Sequence, residues 1–187
     1  MLTIKGVIAR GFMYLCRIFP ITNKVVFSSF DGKNFGDDPK AIFDEMIKQG
    51  IETEYIWLLD DIKFDVPENV KLVKAFSLLA IYHLATAKVW VDNCRKHAWT
   101  VKRKGQYYIQ TWHSSVGGVG IKKVEKDAED FLPKPYIEAA INDSKMADLF
   151  ISGSAWITQY YKDAFWYSGK ILECGNPVAD NYFKNVD

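Results

Sequence analysis

Gln110-Thr111-Trp112-His113-Ser114-Ser115-Val116-Gly117-Gly118 follows directly on Tyr107-Tyr108-Ile109. The aromatic and β-branched triplet suits a strand covered on both faces. Three glycines in four positions, Gly117, Gly118 and Gly120, then give way to the charged run Lys122-Lys123-Val124-Glu125-Lys126-Asp127, which suits a helix. Strand, flexible loop and helix in that order predict His113 just beyond the carboxyl end of a strand, where open α/β sheets gather their ligands. His113 is therefore the first candidate for a reacting group.

The segments on either side repeat the alternation. Val25-Val26-Phe27-Ser28-Ser29-Phe30 predicts the first strand, and a polar loop from Asp31 to Asp38 follows it. Pro39 suits the first turn of a helix with Asp38 as its cap, Ala41, Ile42, Met46 and Ile47 share its apolar face, and Gly50 stops it. Strands are expected over residues 55–59, 70–73 and 89–91, with a helix capped by Ser77 before the last of these. Residues 107–112 form the expected central strand. Beyond the glycine loop, helices are expected over 122–130, 136–147 and 154–165, and strands over 149–151 and 170–174. Short strands alternating with helices imply an α/β fold, a Rossmann-like, mostly parallel sheet with helices on both faces.

At 187 residues the chain can bury one sizeable core. Its 49% apolar and 25% charged residues argue against extensive disorder, and a net charge of +1 gives no support to a nucleic-acid partner. Cys16, Cys94 and Cys174 lie far apart, which fits neither a zinc site nor a disulfide framework and suits a reducing compartment. The charge is uneven: residues 1–30 hold Lys5, Arg10, Arg17 and Lys24 and no acid. Residues 4–19 predict a helix whose Ile4, Val7, Ile8, Phe12, Leu15, Ile18 and Phe19 fall on one wide arc, with Arg10 and Arg17 on a polar edge. It is shorter than the about 20 residues that span a bilayer, and no small-residue cleavage site follows it. Two readings stand: an in-plane anchor on an anionic membrane surface, or a helix packed on its own domain.

An imidazole, with a pKa of about 6.5, is well suited to take a proton from an alcohol near neutral pH. Ser114, Ser115, Gly117 and Gly118 offer N–H groups for an anion-binding concavity, and Lys122 and Lys123 add positive charge. That set suits transfer of a phosphoryl-type group to a hydroxyl, while a structural histidine bonded to the backbone remains the alternative. His83 falls inside an expected helix and His97 in a basic loop, which makes them weaker candidates. No HExxH spacing exists, so neither a catalytic metal nor a cofactor is expected. The 31–38 loop fits a solvated turn or an acceptor contact. Ser152-Gly153-Ser154 fits a helix cap or an anion site.

Four ordered stretches carry a resemblance. They are Phe27-Ser28-Ser29-Phe30-Asp31-Gly32-Lys33 with Pro39-Lys40, Ala87-Lys88-Val89-Trp90-Val91-Asp92-Asn93, Gln110-Thr111-Trp112-His113, and Ile171-Leu172-Glu173-Cys174-Gly175-Asn176-Pro177-Val178-Ala179-Asp180. Together they resemble the CDP-glycerol glycerophosphotransferases of teichoic acid synthesis. The resemblance implies the amino-terminal, acceptor-side half of a GT-B enzyme, peripheral on the cytoplasmic face of the bacterial membrane. Such an enzyme moves glycerol phosphate or a related polyol phosphate from a CDP-linked donor to a hydroxyl of a lipid-linked acceptor. It also implies His113 as the base, with Gly32, Lys33, Asn34, Asn93, Thr111, Trp112, Ser114, Ser115, Gly117, Gly118, Lys122, Ser152 and Ser154 expected to contact substrate. The division expected is a membrane-associating helix over 1–22 and a Rossmann-like domain over 23–187, the donor-binding domain lying outside this chain. A nucleotide-sugar glycosyltransferase and a non-catalytic membrane scaffold are the competing readings.

Overall fold

The computed structural model describes residues 2–113, 130 and 132–183. In chain order the elements are α1 (Ile4–Leu15), β1 (Thr22–Ser28), α2 (Asp37–Lys48), β2 (Glu54–Leu59), β3 (Val70–Lys74), α3 (Leu78–Thr86), β4 (Ala87–Asp92), β5 (Tyr107–Gln110), α4 (Lys134–Met146), β6 (Leu149–Ser152), α5 (Ala155–Ala164), β7 (Lys170–Glu173) and α6 (Asp180–Phe183). The seven strands form one sheet in the order β3-β2-β1-β4-β5-β6-β7, and every pairing is parallel. Strand order reverses between β1 and β4, so the crevice of a doubly wound sheet opens at their carboxyl ends.

Side chains alternate across the sheet, as the period of two demands. Val26, Ile56, Trp90, Tyr108 and Phe150 pack with Met13, Cys16, Ile81, Leu84, Met146 and Phe165 on one face. Val25, Phe27, Tyr55, Trp57 and Val91 pack with Phe43 of α2 on the other. Phe27, Ile56 and Leu59 are wholly buried; each such side chain contributes about 1.5–3 kcal/mol. The expected α/β layering is therefore observed. Ser77 caps α3 as expected, its Oγ accepting from Ala80 N at 3.1 Å.

Several boundaries differ for reasons of tertiary contact. β1 stops at Ser28 because Phe30 and Asp31 adopt left-handed backbone, with φ of 49° and 57°. β5 stops at Gln110, and Trp112 has φ 59°. Asp38 is not the cap of α2: the helix starts from Gly36 and Asp37, and the buried Asp38 carboxylate accepts from Val178 N at 2.8 Å. The helix expected over 122–130 lies, except for Asp130, outside the described residues.

The two readings of α1 divide its faces. Met13 and Cys16 are buried against α3, and Ala9 and Phe12 pack beside them. Arg10 and Arg17 do not form a solvent-facing polar edge. Arg10 Nη2 donates to Ala98 O at 2.5 Å and Arg17 Nη2 to Val101 O at 3.4 Å, which ties the helix to the loop before β5. Outward, Ile4, Ile8, Leu15 and Ile18 remain 81%, 63%, 60% and 74% exposed. Among the described residues no helix is long and apolar enough to cross a membrane.

Gly32 shows how tightly the end of β1 is held. Its φ is +89°, its carbonyl accepts from Asp60 N at 2.8 Å, and a Cβ here would stand 2.8 Å from Ala75 Cβ. Gly32→Ala combines a left-handed conformation with a clash, and is expected to cost ~2–4 kcal/mol. Urea unfolding checks this as a lower midpoint at unchanged slope.

Candidate active site at the carboxyl rim

Where β5 ends, its backbone loses a hydrogen-bonding neighbour and a side chain takes over. The buried Gln110 carboxamide accepts from Trp112 N at 2.8 Å through Oε1, and its Nε2 donates to Tyr108 Oη at 2.8 Å and Cys94 O at 3.0 Å. Tyr108 Oη donates to Asp143 Oδ1 on α4 at 3.0 Å, and the same oxygen accepts from Lys96 N at 2.8 Å. A left-handed non-glycine residue costs about 1–3 kcal/mol, and this buried network holds Trp112 there.

Trp112 is half-buried between partners of complementary charge and shape. The Arg95 guanidinium stands 4.6 Å over its ring and Phe165 packs at 4.7 Å. His113 stacks on Trp112 at 5.0 Å and meets Phe30 at 5.6 Å. The His113 side chain is exposed and opens on a cleft of about 330 Å³. Asp37, Asp38, Ser154, Tyr161 and Asn176 form its other walls, together with Thr111.

The expected site residues separate into groups. Thr111, Trp112, His113 and Ser154 share this cleft. Ser154 also caps α5, accepting from Ile157 N at 3.3 Å, and Ser152 is buried, bonded to Thr158 Oγ1 at 2.7 Å. Asn93 is fully buried; it accepts from Phe30 N at 2.8 Å and donates to Asp37 Oδ2 at 2.5 Å and Ser29 Oγ at 3.2 Å. It therefore shapes the rim from behind the surface. Gly32 is buried, while Lys33 and Asn34 are exposed beyond the cleft. Ser114, Ser115, Gly117, Gly118 and Lys122 lie outside the described residues.

Asp37 and Asp38 belong to the 31–38 loop expected as a solvated turn or an acceptor contact, and both line the cleft; Tyr161 and Asn176 were not expected there. The bond that holds Asp38 was not legible, because its partner Val178 is 140 positions away. Burial, aided by the neighbouring Asp37 charge and opposed by the Val178 N–H, raises the Asp38 pKa to about 6. Of the weaker candidates, His83 is buried beside Lys24, its Nδ1 3.4 Å from Lys24 Nζ. Burial first, and the Lys24 charge second, lower its pKa to about 4, so it is neutral at pH 7. His97 sits in a separate cavity, where its Nε2 is 3.8 Å from Asp31 Oδ1.

Comparison with known proteins shows the family of the fold that carries this cleft. The family profile described as CDP-Glycerol:Poly(glycerophosphate) glycerophosphotransferase matches residues 12–187. The chain belongs to this family. A teichoic acid poly(glycerol phosphate) polymerase of Bacillus spizizenii is 32% identical over 165 residues, covering 83% of this chain and 41% of the relative. A teichoic acid glycerol-phosphate transferase of Staphylococcus aureus is 30% identical over 169 residues, covering 86% and 42%. The solved wall teichoic acid polymerase TagF superposes with a TM-score of 0.77 at 27% identity, over 96% of this chain and 47% of that one. The chain thus spans less than half the length of these family members.

Asp143 offers a test of the buried network behind the site. Burial raises its pKa to about 6, against the Lys96 N–H and Tyr108 hydroxyl bonds that lower it. Because the folded state holds the proton more tightly than the unfolded chain, this group's contribution to stability falls as pH rises from about 4 through about 6. Asp143→Asn keeps the acceptor and removes the titration. Its destabilisation relative to the parent is expected to be smaller at pH 7 than at pH 5 by about 1 kcal/mol, read by urea unfolding at both pH values.

Proposed function

We propose that this chain supplies the acceptor-side half of a glycerophosphotransferase, with His113 as the general base. The observation that carries the reading is the exposed His113 imidazole, at the end of the Gln110–His113 stretch that carries the family resemblance, opening on the cleft. The cleft walls favour an uncharged acceptor end: the Asp37 and Asp38 carboxylates accept hydroxyl hydrogens and repel a diphosphate. The anionic CDP-glycerol is then presented from outside these walls, by a donor-binding unit of the GT-B type.

In the reaction the acceptor hydroxyl loses its proton to His113 as its oxygen attacks the phosphorus of the glycerol phosphate group. The bond from phosphorus to the CMP oxygen breaks, CMP leaves with its electron pair, and a phosphodiester remains on the acceptor. Trp112 and Phe30 fix the imidazole plane by packing on it. The network from Gln110 to Asp143 fixes Trp112. With full-length protein, CDP-glycerol and a lipid-linked polyol phosphate acceptor, His113→Ala is expected to lower CMP release by ~100-fold or more. Release at the parent rate would overturn the assignment.

We further propose that the protein lies on the cytoplasmic face of the bacterial membrane through the outer face of α1. With Arg10 and Arg17 engaged on backbone carbonyls, the exposed Ile4, Ile8, Leu15 and Ile18 supply most of the attraction, by apolar insertion. Deleting the helix would also empty part of the core, so point changes on the outer face are the cleaner probe. Ile8→Glu with Leu15→Glu is expected to abolish co-sedimentation with phosphatidylglycerol vesicles while leaving the circular dichroism spectrum unchanged. Undiminished binding by that variant would place the contact elsewhere.

A further inference from the structure

A second cavity lies beside the His113 cleft, and the end of β1 divides them. Phe30 and Asp31 are consecutive left-handed residues whose side chains part: the Phe30 ring meets His113, and the Asp31 carboxylate faces His97. Strain held at two adjacent non-glycine positions marks a place where side-chain direction matters. The second cavity has an apolar floor that includes Leu58, Ala80 and Leu84, and Asp31, His97 and Arg95 lie among its polar lining. His97 is flanked by two rings, Phe76 at 4.9 Å edge-on and Trp99 at 6.1 Å stacked. Phe76 is itself left-handed, with φ 58°.

Arg95 connects the two cavities. Its guanidinium lines the second one and stacks over Trp112 of the first, while Nη1 donates to Tyr136 Oη at 2.9 Å. Along the rim, then, stand an imidazole over an open cleft, a guanidinium, and a carboxylate–imidazole pair above an apolar pit. A chain of alternating polyol and phosphodiester presents the matching series: terminal hydroxyl, anionic phosphodiester, then a neutral unit with both C–H and O–H groups. Arginine suits the phosphodiester, Asp31 and His97 suit hydroxyls, and the apolar floor of this pit of about 40 Å³ takes the methylene edge of the unit, the rest of which stays at the open rim. The Asp31 carboxylate disfavours a phosphate inside the pit itself, while the Asp92 carboxylate in its lining is already paired with Lys96.

We propose that the cavity at Asp31, His97 and Arg95 is a subsite for the penultimate polyol-phosphate unit of a growing polymer acceptor, whose terminal hydroxyl lies at His113. This rests on the reaction proposed above and adds that the chain senses at least two units of its acceptor. It makes acceptor length, rather than the terminal unit alone, a determinant of affinity.

A binding measurement tests this without turnover. Full-length protein is titrated with glycerol 3-phosphate and with a synthetic di(glycerol phosphate), followed by saturation-transfer NMR and calorimetry. The dimer is expected to bind at least tenfold more tightly than the monomer. Asp31→Asn, which tolerates the same left-handed backbone, and His97→Ala are expected to bring the dimer to the monomer's affinity. Arg95→Lys, which keeps the charge, is expected to retain part of the difference. Equal affinity for the two ligands in the parent, or a dimer preference untouched by both Asp31→Asn and His97→Ala, would overturn the subsite. His113→Ala keeps the dimer preference if the subsite is real, so loss of transfer and loss of length recognition are separate results.

Discussion

A carboxamide buried at the end of β5 is the constraint from which the rim of this domain follows. Gln110 replaces the strand partner that Trp112 would otherwise have, and the bond lets the chain turn through a left-handed conformation within two residues of a parallel ladder. Asn93 does the same work at the end of β1, where it accepts from Phe30 N. Buried backbone donors must find acceptors, and at these two points side-chain amides supply them. The result is a rim on which imidazole and indole hold set positions although both lie outside regular structure, facing the carboxylates at the start of α2.

The same economy appears in how charge is buried. Asp92 and Lys96 face each other at 2.5 Å within the interior, and Asp143 receives a backbone N–H and a tyrosine hydroxyl. Burial is the largest influence on Asp92 and raises its pKa even with Lys96 beside it. Removing one partner of such a buried pair strands the other, so the pair ties the start of the loop between β4 and β5 to the end of β4. Arg95 and His97, on that loop, inherit their placement from it.

Much of this was legible in the sequence, and the illegible part has a common cause. The strands were visible in runs such as Val25-Val26-Phe27 and Tyr55-Ile56-Trp57, because burial on both faces selects apolar residues locally. Ser77 and Ser154 were visible as caps because a cap and its helix are neighbours in sequence. His113 was visible because a strand and a glycine loop bracket it. Asp38, Asn93, Arg10 and Asp143 were misread or passed over because what each bonds to lies dozens of residues away: Val178, Phe30, Ala98 and Lys96. A polar residue looks solvated until the fold brings it a partner, and pattern alone carries no sign of that.

The bond from Val178 N to Asp38 has a consequence for the order in which the protein is made. Synthesis delivers the chain from its amino terminus, so β1 to β7 are all made before the 177–179 turn. Until that turn docks on α2, the cleft lacks the side that Asn176 and Val178 provide, and Asp38 lacks its donor. A nascent chain halted just short of this turn would hold every strand of its sheet and its histidine, yet have no finished cleft. The cleft is therefore completed only after the framework that carries it.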